Sequence, residues 1–363
     1  MRAIRLAFIL WIGVTGLLFG QPRYKTKNVI LITLDGMRWQ EIFSGAEHRL
    51  ISHEFVQDSA SLVRDFWGET PEVRRSRLMP FLWTEIAVKG QLLGNRQYGN
   101  FVNVTNRQWF SYPGYNELLC GFADYERIHS NDKFNNPNQT ILEYINNQPV
   151  FKGKVVAYTS WDVFPFIINA ERSGIRVNSG LVTQLPAVSE REKLLNDLMF
   201  QVPNPLGDVR LDAFTYHYAF EYLRKNKPRL MYLSFDETDD FAHQGKYEWY
   251  LRSAHYTDFF IRSIWNYCQS DPQYRGSTTL IITCDHGRGN VGKSDWRDHG
   301  ISVPGADQIW MAIIGPDTPG GGERRTQEQH YQNQLARTIV ALLGLQLPPE
   351  HKAGNSMEGI IKR

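Results

Sequence analysis

Five short apolar runs punctuate the chain, at residues 29–34, 155–158, 230–235, 280–284 and 309–314. Each is rich in β-branched or aromatic residues and nearly continuous rather than alternating. That is the pattern of strands covered on both faces. Helix-like segments lie between them. Residues 212–226 carry apolar positions at helical spacing and end in a basic turn before Pro228. Residues 247–267 are long and amphipathic, and 332–343 run up to a capping Gly344. This alternation predicts an α/β fold, with a mostly parallel central sheet and helices on both faces. No linker divides the chain, so residues 21–363 read as one domain. Residues 174–207 read as irregular and are expected to form a loop or cap insertion.

The N-terminus follows a different pattern. Two arginines in the first five residues precede the apolar run LAFILWIGVTGLLFG, and polar QPRYKTKN follows. That is a secretory signal over residues 1–20, shorter than the ~20 apolar residues of a membrane span. Gly20 suits a cut before Gln21, although Leu18 is larger than position −3 prefers. The expectation is export, to the periplasm or outside the cell. An uncleaved anchor is the rival reading, and no stable membrane insertion is expected beyond this segment.

Composition narrows the classes. Forty basic residues face 38 acidic ones, a net charge of +2, so neither a basic nucleic-acid surface nor an acidic disordered chain is expected. Aromatic residues make up 13%, which argues for a packed core. Three cysteines, Cys120, Cys268 and Cys284, are too few for a disulfide framework and read as small buried hydrophobes.

The chemistry gathers at the strand ends, where open α/β sheets bind ligands. The first run ends in Asp35-Gly36. Residues 230–235 lead into Asp236-Glu-Thr-Asp-Asp-Phe-Ala-His243. Residues 280–284 lead into Asp285-His286-Gly287, and Asp298-His299-Gly300 precedes the last run. One Asp after a strand is ordinarily a turn residue; the whole set is a ligand set for zinc or a related divalent ion. Asp239 and His243 are spaced to share one turn. Asp35, Asp239, His243, Asp285, His286 and His299 are the candidate metal ligands. Two ions roughly 4 Å apart would clamp the attacking and leaving oxygens of a displacement at phosphorus. Ser111, in WFSYPGYNELL, is a seventh candidate. Its ordinary reading is a helix N-cap. A hydroxyl at a helix N-terminus also faces the dipole and N–H groups that favour a phosphate, so cap and nucleophile are compatible.

This constellation resembles the alkaline phosphatase superfamily, most closely its type I phosphodiesterase/nucleotide pyrophosphatase branch, over about residues 28–345. Val-Ile-Leu-Ile-Thr-Leu-Asp35-Gly looks like the first metal-binding strand. Ser111-Tyr-Pro-Gly-Tyr, followed by Cys120-Gly121, looks like the nucleophile helix. Asp239-x-x-x-His243, Thr283-Cys-Asp285-His286-Gly and Asp298-His299-Gly look like the three remaining metal elements, and 336–345 like the final helix. The resemblance implies one ion on Asp239, His243 and His299, and another on Asp35, Asp285 and His286 beside Ser111. Zinc is the family's usual metal, and manganese would tolerate the same ligands. It further implies in-line attack by Ser111, a phosphoseryl intermediate, and hydrolysis of that intermediate. Asn131 lies near the offset at which the branch places a phosphate-binding Asn, with Asn135 and Asn136 as competitors.

Several positions depart from the pattern. Ser111 stands where the branch usually has Thr, Ala242 where it has Gly, and Tyr115 where sulfatases have Arg. The leading expectation is an exported two-metal phosphoester hydrolase with a serine nucleophile. Its substrate would be a small phosphorylated compound, a phosphodiester or pyrophosphate in preference to a monoester. The alternatives are a phosphate monoesterase, a sulfatase-like or phosphoryl-transfer enzyme on the same scaffold, and a binding protein that keeps the fold. The oligomeric state is left open.

Overall fold

A computed structural model describes residues 24–187 and 189–362. The predicted signal segment, 1–20, lies outside the described residues. Eleven strands are present among them: β1 (Asn28–Leu34), β2 (Gln91–Leu93), β3 (Asn100–Asn103), β4 (Val155–Thr159), β5 (Arg176–Ser179), β6 (Leu230–Phe235), β7 (Thr278–Thr283), β8 (Gln308–Ile309), β9 (Met311–Ile314), β10 (Gly322–Glu323) and β11 (Glu328–Tyr331). Eight form the central sheet, in the order β10-β2-β9-β7-β1-β6-β4-β5. Strands β7, β1, β6, β4 and β5 are parallel, and β9 runs against its neighbours β7 and β2. The remaining three make a small sheet, β11-β3-β8.

The continuous apolar runs behave as their composition requires. Every residue of β1, β4, β6 and β7 is buried, because helices cover both faces of the sheet. Each buried Leu or Ile in them contributes roughly 1.5–3 kcal/mol. Strand β1 is central, paired with β6 on one side and β7 on the other. Its end, Asp35, therefore meets the ends of both neighbours.

Several boundaries differ from the sequence reading. Strand β7 starts earlier, at Thr278, because two β-branched threonines extend it. The run 309–314 breaks at Trp310, since β8 joins the small sheet and β9 the central one. The Trp310 indole donates to the Met37 carbonyl at 3.0 Å and ties the break to the turn after Asp35. The final helix is Gln334–Leu342. Gln332 stays outside it and donates to the carbonyls of Cys284 (2.8 Å) and Asp285 (3.2 Å). The segment 174–207, expected to be irregular, supplies edge strand β5 and a helix, Glu190–Met199, started by a reciprocal Ser189–Glu192 capping box. The helix Asp212–Asn226 has the predicted ends, and Tyr247–Ser270 runs three residues past its predicted one.

All three cysteines are buried free thiols. Asn138, the first residue of a glycosylation sequon, is buried and bonded to Asn116 (3.1 Å) and Asp124 (2.8 Å), so it is not available to a transferase. No helix among the described residues is long and apolar enough to cross a membrane.

Candidate active site

The carboxyl ends of β1, β6 and β7 bring six distant residues into two adjoining clusters. Asp35, Asp285 and His286 form a fully buried one. Asp239, His243 and His299 form the other, which is open to solvent at His243. The His286 and His299 rings stack between them with centroids 4.0 Å apart.

In the buried cluster, His286 Nε2 lies 3.3 Å from Asp35 Oδ1 and 3.4 Å from Asp285 Oδ2. Both carboxylate oxygens are buried and lack a hydrogen-bond partner. Two orphaned carboxylate oxygens beside one imidazole nitrogen are costly unless a cation joins them. The tautomer fits as well. His286 Nδ1 sits 2.9 Å from the Gly287 carbonyl, which can only accept, so Nδ1 carries a proton and in the neutral ring Nε2 presents its lone pair. The other two carboxylate oxygens are occupied. Asp35 Oδ2 accepts from the Tyr115 hydroxyl at 2.8 Å, and Asp285 Oδ1 from the Gly36 N–H at 3.1 Å. The donor set therefore fits a divalent ion.

The second cluster is built on one helix turn and one loop. Asp239 and His243 lie on the helix Glu237–His243, with His243 Nε2 3.2 Å from Asp239 Oδ2. His299 Nε2 approaches His243 Nε2 to 2.9 Å and Asp239 Oδ1 to 3.7 Å. Two imidazole nitrogens and a carboxylate thus converge. Ala242, in place of the resemblance's Gly, is a buried helical residue, a position alanine suits.

Charge in the two clusters is unevenly balanced. Burial and the neighbouring Asp35 push the Asp285 carboxyl well above the usual carboxylate range. Burial alone would lower His286, but Asp285 and Asp35 outweigh it and push the imidazole up to about 9. Burial also opposes the charge on Asp239, yet Arg288 and then His243 hold its carboxyl well below the usual range. His299 is held well below an ordinary imidazole by burial and by His286.

Ser111 does not cap its helix. The N-cap position of Ser111–Cys120 is Phe110, and Ser111 is the first helical residue. Its hydroxyl is buried beside the first cluster, 3.4 Å from His286 Nε2. The helix N-terminus offers fewer free donors than its position suggests. The Tyr112 N–H is taken by Asn131 Oδ1 at 2.9 Å, and Pro113 has none. Asn131 therefore sits next to Ser111. Asn136 does not; it is buried between Asn116 and Ile167. Asn135 bonds Glu171 instead. The helix also lies very close to the metal loop. A Cβ on Gly114 would fall 2.5 Å from the Asp285 carbonyl oxygen, so only glycine fits there.

Three contributors escape the sequence reading. Tyr115 stands one turn after Ser111, on the same helix face, and orients Asp35. Arg288 is buried and paired with Asp239. Trp109 has φ 53°, a left-handed conformation that a tryptophan rarely adopts. Its strain is offset by the Asn106 side chain, which accepts its N–H at 2.9 Å and is itself held by buried Glu117. The i+4 spacing could have flagged Tyr115. For the other two there was no local signal, since their partners lie 49 and 190 residues away.

No protein-family profile matches this sequence, and no curated protein resembles it at the sequence level. Solved structures do. Alkaline phosphatase PafA superposes with a TM-score of 0.58 at 11% identity, covering 94% of this chain and 99% of that one. The lipoteichoic acid synthase LtaP from Listeria monocytogenes gives 0.56 at 11% identity, covering 90% and 74%. Phosphonate monoester hydrolase SpPMH from Silicibacter pomeroyi gives 0.55 at 11% identity, covering 92% and 76%. The central eight-stranded sheet and its flanking helices thus share the fold of these structures, alkaline phosphatase PafA among them.

Proposed function

We propose that this chain is an exported, metal-dependent phosphoester hydrolase in which Ser111 is the nucleophile. One observation carries the reading. An uncapped, buried serine hydroxyl at a helix start lies 3.4 Å from His286, within a pair of adjoining Asp/His clusters. Divalent ions, zinc or manganese, would supply Lewis acidity that favours the serine alkoxide and offsets charge on phosphoryl oxygens. Asp35, Asp285 and His286 would hold one ion, and Asp239, His243 and His299 the other.

The chain's own residues do the rest. As the Ser111 Oγ–phosphorus bond forms, the hydroxyl gives up its proton, the bond from phosphorus to the leaving oxygen breaks, and that oxygen takes up a proton from solvent. Water then cleaves the phosphoseryl ester and restores the hydroxyl. Gly287 and Trp109 carbonyls fix the proton-bearing nitrogens of His286 and His299. Tyr115 fixes Asp35. Asn131, anchored through its oxygen on the Tyr112 N–H beside Ser111, is the proposed amide donor to a substrate oxygen. A neutral amide donor suits the single charge of a phosphodiester or pyrophosphate linkage better than the double charge of a monoester. The substrate class is therefore a small phosphodiester or pyrophosphate, handled by a single catalytic domain outside the cytoplasm.

The test compares hydrolysis of an aryl monophosphate, an aryl phosphodiester and an aryl sulfate with zinc or manganese. The expected order puts the diester first and the sulfate last. Absence of hydrolysis of all three at every metal loading would overturn the reading and favour a binding protein.

A further inference from the structure

The two clusters differ in formal charge. In the deprotonated form that binds an ion, Asp35, Asp285 and His286 sum to −2, and the hydroxyl of Tyr115 is a neutral neighbour. Asp239, His243 and His299 sum to −1, and Arg288 brings that to zero. The Arg288 guanidinium donates through Nη2 to Asp239 Oδ1 and to the Asp239 carbonyl, the latter at 3.1 Å. Through Nη1 it donates to the Arg297 carbonyl at 2.6 Å. It is 1% exposed, and a guanidinium does not deprotonate to relieve a neighbouring cation.

The arrangement is built into the backbone. Arg288 follows Asp285-His286-Gly287 directly, so its base is fixed by the first cluster. Its head reaches the helix that carries Asp239 and the loop that carries His299. Gly36, at φ 57°, leaves the room: a Cβ there would lie 2.7 Å from Asp239 Oδ1 and 2.8 Å from Arg288 Nε.

We infer that Arg288 makes the two ion positions unequal. By holding the only carboxylate of the Asp239–His243–His299 cluster, it weakens that position for a divalent cation relative to Asp35–Asp285–His286. The inference rests on the two-ion reading above. A cation arriving at Asp239 shares its one anionic ligand with a permanent positive charge. A cation arriving at Asp35 and Asp285 meets two carboxylate oxygens that have no other partner. Filling is therefore sequential, with the buried position first. Outer partners of a metal ligand act on affinity on a scale of about 10–100-fold, and the positive charge of this one sets the sign against the ion.

The experiment is a zinc titration of chelator-stripped full-length protein, read as stoichiometry and affinity against a chromophoric competing chelator. Wild type is expected to bind two ions, the second at least about tenfold more weakly. Asp285→Ala should remove the tight ion, and His243→Ala should impair the weak one. Arg288→Met, which removes the charge but keeps the length, should tighten the weak ion to within a few fold of the other. Arg288→Gln makes the same test should the thioether pack badly, and Arg288→Lys, which keeps the charge, should preserve the gap. Equal affinities in wild type, a gap unchanged in both neutral variants, or a gap closed by Arg288→Lys would overturn the inference and leave the two-ion hydrolase standing. Wild-type protein that binds no zinc would overturn both.

Discussion

The main-chain carbonyl of Trp109 accepts the Nδ1–H of His299 across 3.2 Å. Trp109 lies two residues before Ser111, so one strained turn both launches the nucleophile helix and orients a ligand of the outer cluster. The left-handed φ of 53° at Trp109 belongs to the backbone that presents this carbonyl.

The turn can be tested apart from the ring. Trp109→Asn and Trp109→Val both delete the indole, but asparagine tolerates the left-handed region and a β-branched valine does not. Valine should cost about 1–2 kcal/mol more stability than asparagine, and it should lower metal occupancy at the His299 cluster. Thermal melts and metal analysis of the pair would show it. Equal behaviour would mean that the backbone conformation has no part in holding His299.

Ser111→Ala should reduce hydrolysis by about a thousandfold or more, as loss of a covalent nucleophile does. Metal content and melting temperature should stay near wild type, because the hydroxyl caps nothing. Unchanged turnover would remove Ser111 from the chemistry.

Tyr115→Phe should keep the fold, since the ring remains packed edge-on against Phe164 at 4.6 Å. It removes the donor that orients Asp35. Metal affinity at the buried cluster should fall about 10–100-fold, measured by chelator competition. An unaltered affinity would show that Asp35 needs no such support.

Metal removal should change the sign of a pH effect. In stripped protein, Asp285 has a carboxyl raised above its unfolded value of about 4, and His286 is raised from about 6.5 to about 9. Both groups make the folded state hold more protons than the unfolded one. Stability should therefore fall as pH rises from about 4 through 9. Asp239 and His299, both lowered, act the other way, Asp239 only in acid below that window and His299 up to about 6.5, so the fall is expected chiefly above that pH. With zinc bound the gain should grow with pH, because binding needs deprotonated ligands. Melting temperatures at pH 5 and pH 8, with zinc and with chelator, test this. A zinc-dependent gain that shrinks at pH 8 would contradict it.

The legible parts of the sequence were those set by local pattern. Strand β6 and the helix Asp212–Asn226 ended where their periodicity and Pro228 required. The i, i+4 spacing placed Asp239 and His243 on one turn. The strand-end rule gathered Asp35, Asp285 and His286, whose convergence depends on β1 lying between β6 and β7. What stayed hidden was fixed by distant pairing. The break at Trp310 exists because two sheets compete for one apolar run. Gln332 leaves its helix to hold the Cys284 and Asp285 carbonyls across 48 and 47 residues. The uncapped state of Ser111 followed from the turn at Trp109, which no composition announces.

Strand β1 sits in the middle of the sheet although it comes first in the chain, and it waits for β7 to be paired on its second side. Gly36 and Asp285 are 249 residues apart when they bond. Each cluster also draws a ligand from the last third of the sequence, Asp285 and His286 in one and His299 in the other. During synthesis, then, the buried cluster is complete only after residue 286 and the outer one only after residue 299. Ion capture by a complete site therefore comes only after β1, β6 and β7 have all been made.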